Sequence, residues 1–186
     1  MIVNHVSNLE GPLMYLFMRP RKTIALAKRE LWEHPVMRKL MQWWETIPID
    51  RTGMDRAAMD ECFAVIKRGD ILCLAPEGTR SKHGMLQQGK DGVGYIAGKA
   101  LVPILPVSHY GIEDFSRNIK RLRRTSVTIT VGKPFVIELG GRRLSSDVRQ
   151  AITDEMMRRL ADTLPEAYRG FYADRMDEPY TFTRNV

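Results

Sequence analysis

His5 and Glu10 stand five positions apart near the start of the chain, and Glu77, Gly78, Thr79, Arg80 and Ser81 follow an apolar run near its middle. A histidine near its ordinary pKa can take a proton from a hydroxyl. It does so better when a carboxylate accepts from its other ring nitrogen, which fixes the tautomer and stabilises the imidazolium. An offset of five across a loop and a first helical turn lets Glu10 reach His5. The other reading is a loop histidine beside a capping glutamate, and these two residues alone leave both open. Ser7 is expected to cap the following turn rather than act as a nucleophile, because "HVSNL" lacks the glycine-flanked elbow of a triad serine.

The "APEGTRS" loop, residues 75–81, suits an anion. Gly78 permits a positive φ, so successive backbone N–H groups can face one charge. Thr79 adds a hydroxyl, and Arg80 a planar fork that matches phosphate. Arg51, after the short run "IPID", could supply a second cation. A solvated loop and a surface ion pair are the plainer alternatives. His34, His83 and His109 read as structural, and Cys73 in "ILCLA" as a small buried apolar group.

These residues need elements to position them. Residues 1–3 read as the end of a strand, 11–18 as a helix with Pro12 in its first turn, and 20–27 as a short strand. Residues 28–44 read as a helix broken near Pro35. A strand at 46–50 precedes a turn. The helix at 54–68, capped by Thr52 or Asp55 and closed by Gly69, comes next. Then follow a buried strand at 70–75, a glycine-rich helix at 89–99, and a strand at 101–110 whose prolines argue for an edge or irregular place. Residues 126–137 alternate like one strand. Ser145 or Ser146 caps a long helix carrying Leu144, Val148, Ile152, Met156, Leu160 and Leu164, and Pro165 ends it. The alternation predicts one α/β domain over 1–165, with a largely parallel or mixed central sheet flanked by helices, and a docked or loose tail over 166–186. Ligands of such sheets bind beyond the C-terminal ends of the strands. The loops at His5–Glu10, Asp50–Arg51 and Glu77–Ser81 all leave strand ends, so parallel strands would gather them at one cleft.

Composition narrows the classes. A chain of 186 residues, 44% apolar, is long enough to bury a core. With 29 Lys and Arg against 22 Asp and Glu, the net charge is +7, which favours anionic partners. Two cysteines, eleven apart, do not support a disulfide framework or a zinc site, and fit a reduced compartment. No run reaches the ~18 apolar residues that span a bilayer, and no signal peptide is read at the start. The run "SRNIKRLRR", residues 116–124, is densely basic, but no recognition helix or aromatic sheet face accompanies it, so nucleic acid is not the expected partner. It reads instead as a solvated or membrane-facing patch.

Four blocks in a set order resemble the glycerolipid acyltransferase family, which includes the lysophosphatidate acyltransferases. "NHVSNLE" (4–10) is similar to the family's NHxSxxD. "IPIDR" (47–51) fits its I-D-R strand end, "APEGTRS" (75–81) its [FA]PEGTRS, and "VPILPV" (102–107) its VPIxPV strand. Lys90 and Gly92 match its Lys-x-Gly before a helix. The resemblance covers residues 4–110 and implies a glycerolphosphate acyltransferase-like fold. It also implies that His5 is the general base, with Glu10 standing where the family has Asp. Glu77, Gly78, Thr79, Arg80, Arg51 and Lys90 would bind the acceptor. The implied donor is acyl-CoA or acyl carrier protein, with no cofactor and no metal. The implied acceptor is 1-acylglycerol 3-phosphate, giving phosphatidate. Glycerol 3-phosphate or another lysophospholipid is the alternative, as is a catalytically weak lipid-binding relative. An anionic membrane surface is the expected partner, with the protein cytoplasmic and peripheral on the inner face. "LMYLFM" and "LMQWW" could dock there, although core is the expected place for most of their residues. Only four residues precede His5, where the family carries an earlier strand and often membrane-binding helices, so a clipped or naturally short form is expected.

Overall fold

A computed structural model describes every residue except Asn8, Arg51, Thr52 and Met54. In chain order the elements are β1 (Ile2–Val3), α1 (Glu10–Phe17), β2 (Thr23–Lys28), α2 (Pro35–Trp43), β3 (Ile47–Ile49), α3 (Arg56–Lys67), β4 (Ile71–Cys73), α4 (Asp91–Ala100), β5 (Pro106–Tyr110), α5 (Phe115–Ile119), β6 (Thr128–Val131), β7 (Phe135–Ile137), α6 (Ser146–Ala161) and β8 (Thr183–Asn185). Turns of 3-10 helix lie at Arg29–Trp32, Ile112–Asp114, Glu166–Tyr168 and Gly170–Arg175. The fold is α/β, with strands and helices alternating as the sequence predicts. The chain forms two compact units: residues 1–10 with 75–186, and residues 11–74.

In the unit of residues 11–74, β3, β2 and β4 form a parallel sheet in that order. The Asp55 carboxylate caps α3 by accepting from Ala58 N at 3.1 Å, and Ala58, Cys62 and Val65 bury its apolar face. Gly69, at φ +80°, ends the helix, and burial pushes the Cys62 thiol up to about 12. The expected cap contribution of Thr52 lies outside the described residues. The break at Pro35 is present, but only one 3-10 turn precedes it. A residue before proline is driven out of the helical region, and His34 sits at φ −85°, ψ 123°, so α2 starts afresh on Pro35. Of the two apolar stretches, Met14 and Met41 are core, whereas Leu16, Phe17 and Trp43 are exposed.

In the other unit, β5 is the middle strand of the sheet β1-β5-β6, parallel to β1 and antiparallel to β6. This corrects the edge placement expected from its prolines; the irregular alternative holds for 101–105, which lie before the strand with only an isolated bridge from Ile104 to Phe135. Pro106 is the first strand residue, where a missing N–H costs little, and its carbonyl still accepts from Gly132 N. Residues 126–137 make two strands rather than one. The Gly132–Lys133–Pro134 corner separates them, so β6 pairs with β5 while β7 pairs with β8. Helix α4 packs on α6 at glycine: a Cβ on Gly94 would meet the Arg149 carbonyl at 2.0 Å. Ser145 caps α6 by accepting from Val148 N; Ile152, Met156 and Leu160 line the helix's buried side, and Leu164 is buried just beyond its end.

Residues 166–186 are integral to this unit. Tyr172 and Phe182 are buried, and burying a side chain such as Phe182 contributes roughly 1.5–3 kcal/mol. The Glu155 carboxylate accepts from the backbone N–H groups of Thr181, Phe182 and Thr183. Among the described residues no helix is long and apolar enough to cross a membrane.

Candidate functional site

Strands β1 and β5 are parallel, so both C-terminal ends reach the same edge of the sheet. Beyond the last ladder pair, the Asn4 side chain continues the pairing. Its Nδ2 donates to the His109 carbonyl at 2.8 Å, and its Oδ1 accepts from His109 N at 2.9 Å. This amide zip fixes the backbone one residue before His5.

His5 is then held from two sides by the loop after Ala75. Its N–H donates to the Glu77 carboxylate at 2.8 Å, and its carbonyl accepts from Ser81 N at 2.7 Å. The ring is fixed separately. Glu10, the first residue of α1, accepts from His5 Nδ1 through Oε2 at 2.5 Å. Its Oε1 accepts from the N–H groups of Val6 and Ser7. An acid at a helix start also meets the favourable end of the dipole. With Nδ1 as the donor, Nε2 carries the lone pair and has no hydrogen-bond partner among the described residues. The His5 side chain is 22% exposed, which leaves that nitrogen within reach of a ligand. Glu10 contains one methylene more than aspartate and still reaches the ring. Ser7 Oγ accepts from Leu9 N at 3.2 Å, a turn-capping place rather than a nucleophile's.

His109, which reads from sequence as structural, is a neighbour of this pair. It is fully buried, with Nε2 3.1 Å from the Asn4 carbonyl and 3.6 Å from Glu10 Oε1. A carbonyl only accepts, so Nε2 carries the proton and directs it between that carbonyl and the carboxylate. Burial pushes the His109 pKa down, against the Glu10 charge that would raise it, so the ring is held neutral. Asn4 and His109 were missed as contributors. The signals in the sequence are two polar residues at otherwise apolar strand ends and, for Asn4, its place at the head of the "NHVSNLE" block.

The loop at 75–81 departs from expectation in detail. Gly78 has φ +66°, as its sequence place predicts, but its N–H closes a turn on the Ala75 carbonyl at 3.0 Å. That N–H is therefore turned into the loop rather than toward a ligand. Thr79, Arg80 and Lys90 are all exposed. The Lys90 side chain lies over Gly78, where a Cβ would come within 3.0 Å of Lys90 Cδ. Glu77 instead turns inward and is 1% exposed. Its carboxylate accepts from His5 N, Gln87 N and Gln87 Nε2. Burial pushes its pKa up despite those bonds. It ties the loop to the His5 backbone, and both of its oxygens already accept hydrogen bonds. Residue Gly89, just before Lys90, is fixed by Tyr172 Oη and Gln150 Nε2, so α6 and the C-terminal segment set where Lys90 begins. Arg51 lies outside the described residues.

A carboxylate-held histidine whose Nε2 is unpartnered among the described residues can remove a proton from a hydroxyl; the loop bonded to its backbone carries an exposed arginine. The comparisons with known proteins point to the same class. A family model described as Acyltransferase matches residues 1–110, and the chain belongs to that family. The 1-acyl-sn-glycerol-3-phosphate acyltransferase of Cocos nucifera is 31% identical over 137 residues, covering 72% of this chain and 44% of the relative. The probable 1-acyl-sn-glycerol-3-phosphate acyltransferase of Mycoplasma pneumoniae is 28% identical over 132 residues, covering 68% of this chain and 49% of the relative. The chain spans about half the length of the curated relatives it matches. The solved 1-acyl-sn-glycerophosphate (LPA) acyltransferase of Thermotoga maritima has the same fold, with a TM-score of 0.60 at 23% identity, covering 97% of this chain and 66% of that one.

Proposed function

We propose that the chain transfers a fatty acyl group from a thioester, acyl-CoA or acyl carrier protein, to the free hydroxyl of 1-acylglycerol 3-phosphate. The observation that carries this reading is the His5 Nδ1–Glu10 hydrogen bond at 2.5 Å, which leaves Nε2 to accept a proton, on a residue whose backbone is tied to the loop of Thr79 and Arg80. His5 Nε2 takes the hydroxyl proton as the oxygen attacks the thioester carbon. The C–O bond forms, the C–S bond breaks, and the departing thiolate takes the proton from the imidazolium. Carboxylate and imidazole then return to their starting state, and no acyl-enzyme intermediate is needed. Glu10 and, behind it, His109 and Asn4 hold the base in place. Arg80, Lys90 and Thr79 bind the acceptor phosphate, while Glu77 and Gly78 shape the loop that carries Thr79 and Arg80. The product is phosphatidate, a precursor for phospholipid synthesis. Because it partitions into a bilayer, the reaction belongs at a membrane surface, here the cytoplasmic inner face. The relatives named as 1-acyl-sn-glycerol-3-phosphate acyltransferases support this acceptor class.

An acceptor panel tests the reading. Purified protein is incubated with palmitoyl-CoA, or with palmitoyl carrier protein, and 1-acylglycerol 3-phosphate, glycerol 3-phosphate or lysophosphatidylcholine. Lipid products are then identified by mass. Phosphatidate from the first acceptor is expected. Preferred acylation of another acceptor would overturn the acceptor assignment, and no acyl transfer with either donor would overturn the reaction.

A further inference from the structure

Strand β5 leaves the sheet at the same edge as β1 and runs, through Gly111 and the turn Ile112–Asp114, into the short helix α5. The chain then closes a tight helix end. Leu122 N donates to the Ile119 carbonyl at 3.1 Å, and Arg123 N donates to the Asn118 carbonyl at 2.9 Å. This pair of bonds is the pattern that ends helices on a left-handed residue, a place glycine ordinarily fills. Here it is filled by Leu122, at φ +51° and 97% exposed. An L-residue is strained in that conformation. The side chain offsets none of that strain by burial. Neither folding nor solubility accounts for a leucine there.

Its surroundings give it a use. Ile119 is 55% exposed and Phe115 36% exposed on the same short element. Arg117, Lys120, Arg121, Arg123 and Arg124 surround them, and no acidic residue lies between Phe115 and Thr125. Arg117 pairs with Asp114 at 2.8 Å; the other four cations form no ion pair among the described residues. The turn is ordered rather than slack, since Asn118 Nδ2 also donates to Thr125 Oγ1 at 3.1 Å.

We propose that the α5 turn, residues 115–124, is a docking wedge for an anionic lipid bilayer: Leu122 and Ile119 enter the interface while the cations meet lipid phosphates. A bilayer fits better than a protein partner. A stable protein interface buries about 800 Å² on each side, more than one turn offers. An apolar tip with a cationic collar needs only charged headgroups and acyl chains beneath them. The inference rests on the proposed lipid reaction and places the membrane at the sheet edge that carries His5.

The test is flotation of the full chain with vesicles of phosphatidylcholine alone, or of phosphatidylcholine mixed with phosphatidylglycerol. Wild-type protein is expected to bind only the anionic vesicles. Leu122→Gly relieves the strain, so its Tm is expected to hold or rise while anionic-vesicle binding falls. Arg121→Glu with Arg124→Glu is expected to weaken binding roughly tenfold or more. Both variants are expected to keep wild-type thiol release with short-chain substrates dispersed as monomers. Unchanged vesicle binding in both variants would overturn the proposal. So would loss of binding in Trp43→Ala alone, or a defect confined to an acidic carrier protein. Absence of thiol release from the wild-type chain, with vesicle binding intact, would contradict the reaction and leave the docking wedge standing.

Discussion

The two halves of the candidate site are built in opposite ways. Around His5 nearly every polar group is engaged: the backbone by Glu77 and Ser81, the ring by Glu10, and Glu10 by Val6, Ser7 and its neighbour His109. Around Arg80 the side chains stand in solvent, and neither Arg80 nor Lys90 has an ion pair among the described residues. A base must be held in one geometry for proton transfer, so its supports are paired in advance. A phosphate-binding cation already paired within the protein would lose that partner on binding. The same loop serves both halves, with Glu77 turned inward to the base and Arg80 turned out.

Variants can break each half separately. The largest effect is expected for His5→Ala, which removes the base and lowers kcat by ~10²–10⁴-fold in a thiol-release assay, with an unchanged thermal melt. Glu10→Gln keeps the shape and loses the charge that stabilises the imidazolium. We expect kcat to fall by roughly 10²-fold or more, with little change in acceptor KM. Arg80→Ala should show the reverse signature, raising acceptor KM by roughly ten- to a hundredfold with kcat close to wild type. Identical kcat and KM changes in Glu10→Gln and Arg80→Ala would erase the distinction between the halves.

Smaller effects sharpen it. His109→Phe keeps the volume and removes the proton directed at Glu10, and kcat should fall by several-fold. In a Glu10→Asp background the shorter carboxylate withdraws from His109, so the second substitution should cost less than it does in the wild type. The pH dependence has a defined sign. The folded-state pKa of His109 is depressed, so the unfolded chain binds its proton more readily. Its contribution to stability is therefore lost as pH falls through the ordinary imidazole range near ~6.5. Denaturant titrations from pH 8 to 5, on wild type and His109→Gln, should show that loss only in the wild type. Glu77 has the opposite sign. Its folded pKa is raised, so its ionisation destabilises the fold as pH rises from the ordinary carboxylate range through the raised value. The stability difference between Glu77→Gln and wild type should move in favour of the variant as pH rises.

The pairing of His5 with Glu10 was legible because the two residues are near in sequence, and a loop followed by a helical turn constrains where both side chains go. The α6 helix and its Ser145 cap were legible for the same local reason. His109 was not, since its partnership with Asn4 joins residues 105 positions apart through the parallel pairing of β1 with β5. Glu77 was assigned to the ligand because its motif faces one in outline. Its burial, and the Gln87 groups that bind it, appear only once the loop closes. The α/β class followed from alternation, yet the break at Gly132–Pro134 and the packing of residues 166–186 depend on which strands become neighbours. No periodicity records that.

One measurement tests the role of His5 most directly: free thiol released from palmitoyl-CoA by purified protein, with and without 1-acylglycerol 3-phosphate, run beside His5→Ala. Release that requires the acceptor and disappears in His5→Ala is the predicted result. Acceptor-dependent release that survives at the wild-type rate in His5→Ala would contradict the assignment of His5 as the base.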